Sequence, residues 1–162
     1  MTKVGITLAA SAVAVAMLVG MPAGFAAGGS SDVQSWPAKA QGPNYAAAVS
    51  AIQAKNYAQA IPLLEQVVAK DPKNADAFNY LGYSNRELGQ MDKALAFYQK
   101  ALAINPDHRG AHEYLGELYL KTGNIKAAEV QLAKLDDLCT FGCEEYRELK
   151  RKIAAAKAGK SS

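Results

Sequence analysis

The stretch Ala75–His108, ADAFNYLGYSNRELGQMDKALAFYQKALAINPDH, sets the reading of the whole chain. Phe78, Leu81, Gly82 and Asn85 fall at helical spacing, and Leu88-Gly89 closes that helix. Met91, Ala94, Leu95, Tyr98, Ala101 and Leu102 then line one face of a second helix, which Asn105-Pro106 stops. Sliding the sequence by the length of this stretch brings like onto like: Ala60, Ala94 and Ala128; Tyr80 and Tyr114; Leu81 and Leu115; Gly82 and Gly116; Gly89 and Gly123; Pro72 and Pro106. A unit of this length is a pair of helices that cannot bury its apolar face alone, so neighbouring units must stack. The expected fold is therefore all-α: a helical solenoid of three helix-turn-helix repeats, about 41–74, 75–108 and 109–142, with a capping helix over 144–157.

In the first repeat, Pro43 suits the opening turn of a helix running to about Ala54. Asn56 is expected to cap a second helix, Tyr57 to Lys70, that Asp71-Pro72 terminates, with Pro62 kinking it or shifting its start. The third repeat follows the second through Leu115, Gly116, Tyr119, Gly123, Ile125, Ala128, Leu132 and Leu135. The glycines 82 and 116, with Ala94 and Ala128 opposite, read as points where two helices cross closely.

The pattern of a large residue, Leu-Gly, a Gly before the second helix, an Ala at the crossing and a helix-ending Pro resembles the tetratricopeptide repeat family. The resemblance covers about Gln41 to Gly142 and implies a right-handed solenoid that binds proteins without catalysing a reaction. Departures from the pattern are Ala47-Ala48 for Leu-Gly and Lys55 for Gly in the first unit, His112 at the large position of the third, and Thr140 for its Pro. The ending LDDLCTFGCEEYRELKRKI also resembles the tail of small exported bacterial repeat proteins. In it, Tyr146, Leu149 and Ile153 share one helical face and Arg147, Lys150 and Arg151 lie largely around the other, the form of a solubilising cap.

Residues 1–26 carry Lys3, then a mostly apolar run from Val4 to Met21, then Pro22 and small residues. This is the anatomy of a secretory signal peptide, with cleavage near Ala26 or Ala27 and the bacterial periplasm as destination. Membrane contact is expected only through this segment, if it stays uncleaved. Residues 27–41 read as a flexible linker holding the single tryptophan, Trp36, and 158–162 as a flexible tail. Removing Lys3 lowers the formal charge from +3 to +2, a balance of interspersed Lys and Glu that does not point to nucleic acid. The basic cluster Arg147, Lys150, Arg151, Lys152 and Lys157 suits the negative end of the last helix.

Cys139 and Cys143 are the only cysteines, separated by Thr-Phe-Gly. In an exported protein the simplest reading is a disulfide that pins the cap, with Gly142 giving the joint its freedom. The alternative is a thiol pair serving as a small copper-binding, zinc-binding or redox accessory, although two thiolates are too few for a closed zinc site. His108 and His112 are four apart, but His108 precedes its helix and His112 fills the slot of Phe78, so a packed, hydrogen-bonded role is expected for His112. No Gly-x-Ser-x-Gly elbow or phosphate-cradling glycine loop is present, and no enzyme activity, metal or cofactor is expected.

The family resemblance implies that the first helix of each unit lines a concave groove. Helix spacing then assigns Tyr45, Val49 and Ile52 from the first unit to that groove. The second unit supplies Asp76, Asn79, Tyr80, Tyr83, Arg86 and Glu87; the third, Gly110, Glu113, Tyr114, Glu117, Leu120 and Lys121. Tyrosines offer apolar area together with a hydrogen bond, and Asn79 and Arg86 offer groups for a peptide backbone or carboxylate. The expected partner is a protein or peptide segment. The cation set that clamps a C-terminal carboxylate in some family members is not evident, since Tyr45 and Val49 stand where basic and amide groups are needed.

Overall fold

The computed structural model describes residues 42–160; the expectations for the leader, the linker and Trp36 lie outside them. The described residues form seven helices and no strand: α1 Pro43–Gln53, α2 Tyr57–Lys70, α3 Ala75–Glu87, α4 Met91–Ile104, α5 Arg109–Lys121, α6 Ile125–Leu138 and α7 Glu144–Lys160. Each helix packs on its partner in the pair and on the next unit, giving an all-α solenoid. The helices α1, α3, α5 and α7 lie side by side as one layer, with α2, α4 and α6 as the other. None is long and apolar enough to cross a membrane.

Three apolar clusters fill the space between the layers. Tyr45, Ala48, Ile52, Ala60, Leu64 and Leu81 build the first; Ala94, Tyr98, Tyr114, Leu115 and Leu118 the second; Ala128, Leu135, Leu149 and Ile153 the third. Tyr83 packs on both the first and the second, and Tyr119 on both the second and the third, so the core is continuous from unit to unit. The recurring alanines 60, 94 and 128 are fully buried.

Gly82 marks the close approach expected within its unit, whereas Gly116 makes its close approach to the cap. A Cβ on Gly82 would stand 2.5 Å from the Tyr98 ring of α4, whereas one on Gly116 would stand 2.5 Å from Leu149 of α7. Gly82 thus seats a ring within its own unit, and Gly116 seats the cap. Leu149 itself lies one full repeat length past Leu115, so α7 occupies the register of a fourth unit's first helix.

The turn joining the two helices of a unit takes one form three times, with Lys55, Gly89 and Gly123 at φ 59°, 77° and 80°. The next residue in each donates its N–H back to the first helix: Asn56 to Ala51, Gln90 to Asn85 and Asn124 to Tyr119, at 2.7–2.8 Å. Lys55 therefore holds a left-handed conformation that its side chain disfavours.

Several local expectations are corrected. Asn56 occupies the N-cap position of α2 but its side chain accepts no capping hydrogen bond; Asn74, His108 and Asn124 do cap α3, α5 and α6. Pro62 leaves the bounds of α2 at Tyr57–Lys70, since it and Ala58 lie on the exposed side where solvent can satisfy the carbonyl that loses its donor. The helix expected to stop at Lys157 continues to Lys160, since Ala154, Ala155, Ala156 and Ala158 all favour helix.

Two substitutions test these backbone and packing assignments. Lys55→Gly relieves the left-handed strain and is expected to stabilise the protein by about 0.5–1 kcal/mol, less what glycine loses in the unfolded chain. Gly82→Ala drives a methyl group into the buried Tyr98 ring and is expected to destabilise by about 1–3 kcal/mol. Urea midpoints report both; a neutral Gly82→Ala refutes the close approach.

Candidate functional site

The faces of α1, α3 and α5 that carry the expected groove residues form one aromatic and charged strip. Tyr45 and Tyr80 meet with ring centroids 5.9 Å apart, Tyr57 and Tyr83 at 5.9 Å, and Tyr83 and Tyr114 at 5.0 Å. Tyr57 comes from α2 and Tyr98, whose ring lies 6.4 Å from that of Tyr114, from α4; neither follows from the first-helix pattern. Burial, reinforced by Asp76, pushes the Tyr80 phenol up to about 12. Burial likewise raises Tyr45, Tyr83 and Tyr114, so at neutral pH these phenols are protonated hydrogen-bond donors.

Arg86 departs most from expectation. Its side chain is 4% exposed and its guanidinium is already engaged, Nη1 donating to Glu117 Oε2 and Nη2 lying 3.1 Å from Glu87 Oε1. The guanidinium also sits 5.1 Å from the Tyr83 ring centroid and 5.4 Å from that of Tyr114. It is a buried cation shared by two carboxylates and two rings, not a surface group awaiting a partner's carboxylate. Glu117 receives a second cation from the cap, with Lys152 Nζ 2.5 Å from its Oε1, and Lys152 lies 3.1 Å from Glu148. Arg151 completes the chain on Glu148. An alternating line of charge thus runs from α3 through α5 into α7. Lys121 joins it at the edge, 3.5 Å from Glu87.

The other expected groove residues divide by exposure. Val49, Asp76 and Tyr83 are half-buried; Tyr45, Asn79, Tyr80, Glu113, Tyr114 and Glu117 are buried. Asp76 lies 3.0 Å from Nε2 of His108, whose Nδ1 accepts the N–H of Ala111, so the neutral ring carries its proton on Nε2. His112 is packed and bonded, Nε2 lying 2.8 Å from the Pro106 carbonyl and Nδ1 2.8 Å from the Gln131 side-chain amide. Because the carbonyl only accepts, a neutral His112 donates from Nε2 and takes its second bond from the Gln131 amide nitrogen. Each histidine therefore has both ring nitrogens engaged, and among the described residues no group of three or more His, Cys, Asp or Glu is arranged to hold a metal ion.

Cys139 and Cys143 bring their sulfurs to 2.08 Å, with Cα atoms 5.5 Å apart, and Gly142 between them adopts φ 74°. Two sulfurs at this separation lie within disulfide distance. The short loop they close carries Phe141 almost fully exposed, at 98%.

Family models described as tetratricopeptide repeat match residues 45–109 and 85–153, so that together they run from the first turn of α1 well into α7. The chain belongs to the tetratricopeptide repeat family. Human superkiller complex protein 3 is 33% identical over 79 residues, 49% of this chain but 5% of that protein, so the chain spans only a small fraction of this curated relative. Among solved tetratricopeptide repeat structures, the Yersinia enterocolitica secretion chaperone SycD, in complex with a peptide of the translocator YopD, superposes with a TM-score of 0.63. The two are 21% identical over 72% of this chain and 92% of that one. The first TPR of Spaghetti (RPAP3), bound to the HSP90 peptide SRMEEVD, gives 0.62 at 20% identity over 70% and 91% of the two chains. At these identities the likeness is one of fold.

The charge line makes two predictions. Glu117→Leu strands Arg86 among the tyrosines and is expected to cost about 3 kcal/mol, whereas adding Arg86→Met to it costs less than the two single changes combined. Strictly additive costs in urea unfolding refute the coupling. The second concerns acid: the hydrogen bond from Arg151, with help from Lys152, holds the Glu148 carboxyl down at about 2. Its stabilising effect is complete above the ordinary carboxylate value of about 4.3 and is lost as pH falls through 2. Circular dichroism melts between pH 4.5 and 2 should show a steeper loss of stability in the wild type than in Glu148→Gln.

Proposed function

We propose that this protein is a non-enzymatic interaction module of the bacterial cell envelope that holds a peptide or protein segment along the face formed by α1, α3 and α5. The observation supporting this reading is the tyrosine strip across three successive first helices, in which half-buried Tyr83 lies over buried Tyr114 and beside the buried pair Tyr45 and Tyr80. Concave solenoid faces of this kind are extended binding surfaces, and tyrosine gives contact area at low entropic cost. Two proteins of like fold were solved with a peptide bound, which supports segment capture as the mode. The leader-like residues 1–26 support export, and the bonded sulfurs of Cys139 and Cys143 suit an oxidising compartment. In this reading the disulfide is structural and fixes the start of α7.

A photo-crosslinking amino acid placed at Val49 or Tyr83 should capture a defined envelope protein, while the same group at Lys100 or Lys126 on the second helices should not. Equal capture from both sets of positions overturns the groove reading. Thiol counting and metal analysis on protein purified from the periplasm should give no free thiol and no bound copper or zinc; two reactive thiols with bound metal restore the accessory-protein alternative.

A further inference from the structure

The first unit departs from the other two at the position where the repeat pattern has a large residue near the start of the first helix. Asn44, Phe78 and His112 stand there, one repeat length apart. The Phe78 ring stacks on Phe97 with centroids 6.3 Å apart, and Lys100 Nζ lies 6.0 Å from its centroid. The His112 ring lies 2.8 Å from both the Gln131 side chain and the Pro106 carbonyl. Asn44 brings no ring: its Nδ2 donates to Oε1 of Gln66, the counterpart of Lys100, at 2.9 Å. Beside this pair is a cleft of about 270 Å³, lined also by Gly42, Pro43, Val67 and Lys70. Its volume falls below that of sites for drug-sized ligands and suits one large side chain.

The edge next to the cleft is uncovered. Ala77, Leu81 and Ser84 of α3 are buried, as are Ala111, Leu115 and Leu118 of α5, in an array where α3 packs on α2 and α5 on α4. Their counterparts on α1, Pro43, Ala47 and Ser50, are exposed, since no second helix precedes α1 among the described residues. None of the three is bulky, so a chain segment can approach α1 closely there.

We infer that this cleft docks the indole ring of Trp36 from the same chain, folding the segment before α1 back onto the first unit and closing that end of the array. Trp36 stands six residues before Gly42, a span of at most about 20 Å, so the cleft is within its reach. Gly42 lines the cleft and holds φ 87° with ψ 168°, a conformation open to glycine that turns the chain as it enters α1. An indole offers an apolar body to Pro43 and Val67, a ring face to the Lys70 ammonium and one N–H to Asp71. The Asp71 carboxylate has accepting capacity beyond the Lys73 N–H that its Oδ1 already takes. A ring on so short a tether is presented at an effective concentration of millimolar order, ahead of rings on dilute partners. This site stands apart from the groove face and does not depend on it.

Trp36 is the single tryptophan, so its fluorescence in the full chain reads the site directly. Its emission should be blue-shifted from that of the urea-unfolded protein, and acrylamide should quench it about threefold less steeply. Asn44→Phe puts a ring of the second unit's kind into the slot and should return both readings to those of an exposed indole, with helicity unchanged. Lys70→Glu, at an exposed position, should raise the quenching part of the way. The protection should stay constant over about a hundredfold range of protein concentration, as a tethered contact requires. Wild-type readings equal to those of the unfolded chain overturn the docking, as does a protected indole indifferent to both substitutions. Protection that grows with protein concentration overturns it in favour of a second copy supplying the ring.

Discussion

A guanidinium buried against aromatic rings is tolerable only if its charge is answered at once, and the solenoid is arranged around that requirement at Arg86. Glu117 answers it from the next unit, Glu87 from its own, and the adjoining rings of Tyr83 and Tyr114 both lie against it. Because Glu117 sits deep enough to need more than one partner, Lys152 from the cap completes it. Apolar packing would hold the three units together without these charges, but it has little to say about register. A pair of opposite charges one turn out of step is left stranded, at a cost of several kcal/mol, and so the line from Glu87 to Glu148 selects one alignment of α3, α5 and α7.

The same line changes what the groove is. Had Arg86 been free, the strip would present a cation flanked by tyrosines, well suited to a terminal carboxylate. Neutralised, it becomes a structural member of the fold. The tyrosines retain both roles, since their rings pack on one another while their hydroxyls remain protonated through the physiological range.

Much of the fold was legible because a sequence repeat of this kind repeats its packing as well as its residues. The alanines 60, 94 and 128 fall into the core, Asp71-Pro72 and Asn105-Pro106 end their helices, and the turn glycines take positive φ. The placement of Tyr80, Tyr83, Arg86, Tyr114 and Glu117 on first helices was legible for the same reason. Their partners were not, because helix spacing compares near neighbours in sequence, whereas these contacts join residues close to one repeat length apart: Arg86 with Glu117, Asp76 with His108, Lys121 with Glu87, Lys152 with Glu117. In a lattice of this period such separations are neighbours on adjacent first helices, so opposite charges about one period apart were the signal available. Tyr57 and Tyr98 are hidden from that spacing because they reach the strip from second helices. The seat that Gly116 makes for Leu149 is hidden because a helix beyond the last full repeat reads as a lid instead of as part of the array.

That last point alters how the molecule ends. With Leu149 in the register of Leu81 and Leu115, the array closes on half a unit, a fourth front rod with no rear rod of its own behind it among the described residues. Glu144, Arg147, Glu148 and Arg151 then stand where Asp76, Asn79, Tyr80 and Tyr83 stand two units earlier, so the register that carries phenols on α3 carries paired charges on α7. Along the layer of first helices an aromatic strip thus gives way to a salted one, and the two ends of that layer are chemically distinct.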